Sequence, residues 1–95
     1  MSLTSEVVTV VTMMGEVVGR LKDETTDGYV IESPRLFVPA QGESAGGFAP
    51  GLSMTGDQHP KEATINKAVV LTVCKTHEQV SAGWVEATSG IVLPS

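Results

Sequence analysis

A stretch of 95 residues, 41% apolar and 18% charged, reads as one folded domain around a single modest core and not as a disordered chain. Its net charge of −5 opposes a broad coating role on phosphate backbones. The single cysteine, Cys74, excludes an intrachain disulfide and a thiolate metal cluster, and suits a reducing, intracellular setting.

The N-terminal MSLTSEVVTVVTMMG has no basic residue ahead of its apolar stretch, as a secretory signal would, and no apolar run reaches membrane-spanning length. The expectation is a soluble, unprocessed protein with no membrane partner. Glu6 to Met13 reads as the first strand, apolar at both parities, with a turn at Gly15. Glu16 to Lys22 is the second strand, in which Val17, Gly19 and Leu21 share one face. Gly19 lacks a Cβ inside a strand pattern, which marks a bulge, a bend or a close backbone approach. Lys22 to Gly28 is a polar hairpin loop, with Asp27-Gly28 expected to supply positive φ.

The third strand starts at Tyr29, meets a bend or sheet edge at Pro34, and resumes through Leu36, Phe37 and Val38. Ala40 to Gly47 is a loop, Phe48 to Met54 a weaker fourth strand, and Thr55 to Glu62 a polar turn. Ala63 to Lys75 is the longest strand candidate and is apolar on both faces, with Cys74 as an inert core thiol. Thr76 and Gln79 form a capping-box pattern opening a helix over about residues 77–88. Trp84 is the helix's anchor, Gly90 its stop, and Ile91 to Leu93 a final short strand.

Five short strands enclose one interior. Two strands apolar on both faces therefore need an outer cover, part of it the helix and part another copy of the chain. Open strand edges pair edge to edge, and head-to-tail pairing closes into a ring. The plain alternative is a monomer covered by its own helix and loops.

Val10 to Gly15, Val18-Gly19-Arg20-Leu21, Asp23 to Gly28 and Tyr29-Val-Ile-Glu32 together resemble the first signature of the Sm/LSm family. Glu32 to Pro39 and Ser89 to Pro94 are similar to segments of short Sm-like proteins from tailed phages of cyanobacteria. The resemblance implies a mainly β fold. Its form is a five-stranded, strongly bent antiparallel Sm-like (SH3-like) barrel over residues 5–75, followed by a helix and a terminal strand at about 90–93. It further implies a homo-oligomeric ring of roughly five to seven subunits in which the fourth strand of one subunit pairs with the fifth of the next. A phage-encoded copy would work in the cytoplasm of an infected bacterial host.

Family members bind single-stranded RNA with the loop after strand two and the loop between strands four and five. Carried onto this chain, those loops hold Asp23, Asp27 and Tyr29, and Gln58, His59 and Lys61. The family's Arg-Gly pair is absent from the turn between Met54 and Glu62. Tyr29 suits base stacking or packing on the barrel rim. Arg20, Lys22 and Arg35 suit a phosphate-binding face or ordinary pairing with Glu16 and Glu32. His59 and His77 lack companions at metal-ligand spacing, and no nucleophile–base motif or cofactor motif is present. The expected function is non-catalytic. Lys22, Asp27, Tyr29, Gln58, His59 and Lys61 would capture RNA or single-stranded DNA, and the alternative is a structural or protein-interaction ring that binds no nucleic acid.

Overall fold

The valine-rich N-terminal segment and its glycine-containing successor form a hairpin around Met13-Met14: β1 (Val7–Thr12) and β2 (Gly15–Glu24). Gly15 opens β2 at φ 140°, a backbone region that excludes ordinary side chains. The computed structural model describes residues 3–40, 46–49, 51–53, 55–57 and 59–89. β3 (Gly28–Val38), β4 (Gly47–Phe48), β5 (Glu62–Asn66), a 3-10 turn at Lys67–Val69, β6 (Val70–Lys75) and α1 (Glu78–Thr88) follow. The chain is mainly antiparallel β with a C-terminal helix.

The sheet has six strands rather than five, in the order β4-β3-β2-β1-β6, with β5 also paired to β3. Its ladders do not close: among the described residues β5 and β6 pair with β3 and β1 respectively, and not with each other. β3 is shared along one edge, with β5 pairing Gly28 to Glu32 and β4 pairing Phe37 and Val38. Pro34, which has no N–H, falls between these two partners, where no ladder bond is lost. Ser33 beside it is left-handed at φ 47°, so the strand bends at the handover.

On the opposite edge, the β2–β3 register slips between Val18 and Arg20, placing Gly19 against the bend. A Cβ at residue 19 would collide with Ile31 Cγ2 and lie 2.8 Å from the Glu32 carbonyl oxygen. Gly19 is thus a close-approach glycine, one of the three roles its sequence context allows. Gly28 has the same role and not the expected positive φ. Its Cβ would lie 2.7 Å from the Ile65 carbonyl oxygen, and Gly15 is the positive-φ glycine among the described residues.

Val8, Val10, Val17, Leu21 and Ile31 form the core on one face. The other face of β1 and β2 carries Thr9, Val11, Glu16 and Val18, which border a cavity closed on its far side by His77 and by Val80 of α1. Trp84 is buried, and its Nε1–H donates to the Ser33 carbonyl at 2.9 Å. The Arg20 guanidinium sits 5.7 Å from the Trp84 ring centroid. Trp84 therefore ties the helix to the bend in β3.

Four expectations change. Ala63 to Lys75 is two strands, broken by the 3-10 turn and sent to opposite flanks of the sheet. The fourth strand shrinks to Gly47–Phe48, and Met54 lies outside the described residues, as do Gly90 and the expected strand at Ile91 to Leu93. The helix cap is His77, whose Nδ1 accepts from the Gln79 N–H, because the Thr76 hydroxyl is buried in a 2.9 Å hydrogen bond with Thr9. Cys74 is exposed and not a core thiol. On β6, Leu71 is 70% exposed.

The close approach at residue 19 sets a stability test. Gly19→Ala is expected to cost about 1–3 kcal/mol by overpacking. Gly47→Ala, where an added Cβ meets nothing within 4 Å, should change stability by less than about 0.5 kcal/mol in the same denaturant titration.

Candidate nucleic-acid interface

The tight end of the β2–β3 hairpin and the 3-10 turn between β5 and β6 come from segments about forty residues apart, and one backbone hydrogen bond joins them. The Lys67 N–H donates to the Asp27 carbonyl at 2.9 Å. Thr25 closes the hairpin itself, its N–H donating to the Gly28 carbonyl at 2.8 Å and its hydroxyl accepting from the Gly28 N–H at 3.0 Å. Asn66 starts the 3-10 turn because its Oδ1 accepts from the Ala68 N–H at 2.8 Å, an Asx-type cap. β5 pairs Gly28 with Asn66 and Tyr29 with Ile65, so Asp27, Tyr29, Asn66 and Lys67 share one corner of the sheet.

In that corner the Lys67 ammonium is 2.8 Å from Glu24 Oε2 and 5.2 Å from the centroid of the Tyr29 ring. The hydrogen bond to Glu24 is the main cause of a Lys67 pKa held above the usual lysine range, so the ammonium is fully charged at neutral pH. Tyr29 packs against the core cluster and borders a cavity of about 490 Å³ lined by Leu3, Leu21, Glu24, Thr72 and Val73. Aromatic surface, a cation and an amide side chain are the elements of a base-and-phosphate contact.

Of the six residues anticipated for the site, the structure brings Asp27 and Tyr29 together. His59 and Lys61 precede β5 at its other end, beside Ser33, whose N–H donates to the Lys61 carbonyl at 2.8 Å. The length of β5 separates them from Tyr29 by roughly 13 Å at strand rise. Both are exposed, and the His59 N–H is bound to Asp57 Oδ1 at 2.9 Å in a local turn. Lys22 pairs at 3.2 Å with Glu62, the first residue of β5. Gln58 lies outside the described residues.

A basic face of Arg20, Lys22 and Arg35 does not form. Arg35 is only 5% exposed, its Nη1–H donates to the Pro34 carbonyl at 2.9 Å, and burial lowers its pKa against the opposing charge of Asp57. Arg20 donates to the Ser5 carbonyl at 2.8 Å and stacks on Trp84. Their carboxylate partners are also not those expected: Lys22 takes Glu62, and neither Glu16 nor Glu32 enters an ion pair with them among the described residues.

Asn66 and Lys67 are the site residues that sequence reasoning missed. Reading Ala63 to Lys75 as one strand moved the loop between the last two strands upstream, onto Gln58, His59 and Lys61. The available signals were the length of the segment and an Asn in its middle. A second cavity, about 270 Å³, lies between α1 and the sheet and is lined in part by Val11, Val18, Phe37, Cys74 and Val80. Among the described residues, no helix is long and apolar enough to cross a membrane.

The exposed position of Cys74 gives a direct check. One equivalent of a maleimide should react with the native chain without denaturant, as read by intact mass; protection until unfolding would return the thiol to the core. No family model matches the chain, nor does any curated protein or solved structure.

Proposed function

We propose that the protein is a non-catalytic, self-assembling ring of Sm-like type that binds single-stranded nucleic acid at the corner formed by Asp27, Tyr29, Asn66 and Lys67. The observation that carries the reading is the Lys67 to Asp27 backbone hydrogen bond, which holds the hairpin end and the 3-10 turn side by side. On the Sm-like reading these are the loop after strand two and the loop between the last two barrel strands. Those are the two loops through which family members contact RNA. Asn66 and Lys67 then stand where the family has its Arg-Gly pair, and Tyr29 supplies the stacking surface.

Assembly is supported by the edges. Among the described residues β5 and β6 each pair on one side only, leaving two different open edges, a combination that suits head-to-tail association. Leu71 on β6, Val69 in the turn and Met13 at the neighbouring hairpin tip add exposed apolar surface along that flank. Met13 and Val69 are adjacent, joined by a 3.1 Å hydrogen bond from the Met13 N–H to the Val69 carbonyl. In a ring, a weak single-site contact becomes a multivalent one.

A second reading, a structural or protein-interaction ring of phage origin, is favoured by one observation. Lys22, Lys67 and Lys75 all lie within 4.0 Å of a carboxylate in a chain of net charge −5. Binding of fluorescent oligo-U and oligo-A separates the two. The nucleic-acid reading expects affinity that falls as salt rises, and a roughly five- to 150-fold loss in Tyr29→Ala from the removal of one stacked base. Absence of binding at low ionic strength would leave the structural ring.

Native mass spectrometry tests assembly separately. A multiple of the 9.9 kDa chain is expected at micromolar concentration, moved toward the single chain by Leu71→Glu with an unchanged circular dichroism spectrum. A 9.9 kDa species for the unmutated protein would remove the ring.

A further inference from the structure

Glu24 ends β2, and its register partner across the hairpin is Tyr29. The carboxylate holds the Lys67 ammonium at 2.8 Å, and the same ammonium lies 5.2 Å from the Tyr29 ring centroid. The ring is therefore flanked by the core cluster on one side and by a cation on the other. An aromatic ring with a cation already seated on it does not offer that face to a base. We propose that Glu24 is a gate on this site: it keeps Lys67 across Tyr29, and a strand enters when a phosphate takes the ammonium from Glu24 and uncovers the ring. The proposal rests on the nucleic-acid reading above and adds to it the residue that regulates access.

Three features make the exchange physically reasonable. The Lys67 and Glu24 side chains are 34% and 54% exposed, so their pair is a weak one that opens without unfolding anything. A phosphate oxygen offers the ammonium the same kind of charge-assisted hydrogen bond as a carboxylate oxygen. The Lys67 backbone stays fixed by its bond to Asp27, so only the flexible side chain has to move. No covalent step is involved. The proton stays on Lys67 throughout, and Glu24 is left as a solvated carboxylate.

Glu24→Gln removes the competitor for the Lys67 ammonium and leaves the phosphate contacts of the site unchanged. A matched control exists in Glu62, which pairs with Lys22 at 3.2 Å away from Tyr29, so that Glu62→Gln removes one equal charge and leaves Lys67 held.

The experiment compares oligo-U binding to unmutated protein, Glu24→Gln and Glu62→Gln over a salt series. The expected result is tighter binding by Glu24→Gln than by Glu62→Gln, by about two- to five-fold as fits one weak exposed pair. Tyr29 is the single tyrosine, so its ring proton resonances should also move in ligand-free Glu24→Gln and not in Glu62→Gln. Equal binding by the two variants would overturn the gate while leaving the nucleic-acid reading in place. Binding by none of the three proteins would overturn both.

Discussion

An absent methyl group at residue 19 is the constraint on which the fold turns. Without a Cβ there, β3 comes close enough to β2 for Ile31 to fill the core and for the Glu32 carbonyl to pass beside the backbone. The slip in register at this point, the left-handed Ser33 and the N–H-free Pro34 belong to the same bend. Because β3 bends there, its one edge can serve β5 before the bend and β4 after it. The Ser33 carbonyl, turned out of the ladder, becomes the acceptor that fixes Trp84 and with it the helix. A single close approach thus sets the sheet's order and the position of its only helix among the described residues.

The first hairpin, the bend and the helix were legible because each is written locally. Val8, Val10 and Val17 alternate, Gly19 interrupts a strand, Pro34 cannot donate, and Trp84 recurs at helical spacing with Val80. What was not legible depends on partners distant in the chain. Thr76 looks like a cap until its hydroxyl is claimed by Thr9, after which His77 takes the role. Cys74 sits in an apolar run, yet β6 is a flank strand and Cys74 faces the open cavity beside α1, so the residue is exposed. The break at Lys67–Val69 carries no glycine or proline, and apolar residues continue on both sides of it. Only the demand of β3 and β1 for separate partners pulls the two halves apart.

That break also decides the candidate site. Half of it, Asp27 and Tyr29, came with the resemblance of the first hairpin loop to the Sm/LSm signature. The other half lies in a turn that looks like strand interior. Once the turn is recognised, the charge distribution gains meaning. A chain of net charge −5 keeps few cations free, and Lys67 is placed against both a carboxylate and an aromatic ring.

The tip between β1 and β2 carries a different consequence. Met13 and Met14 are 70% and 90% exposed, and neither belongs to the core cluster. Oxidation of their thioethers to sulfoxides would turn this greasy knob polar while sparing the interior, since no packing has to be rebuilt. Peroxide would thereby make that tip polar in an otherwise intact molecule, and reduction of the sulfoxides would restore its apolar surface.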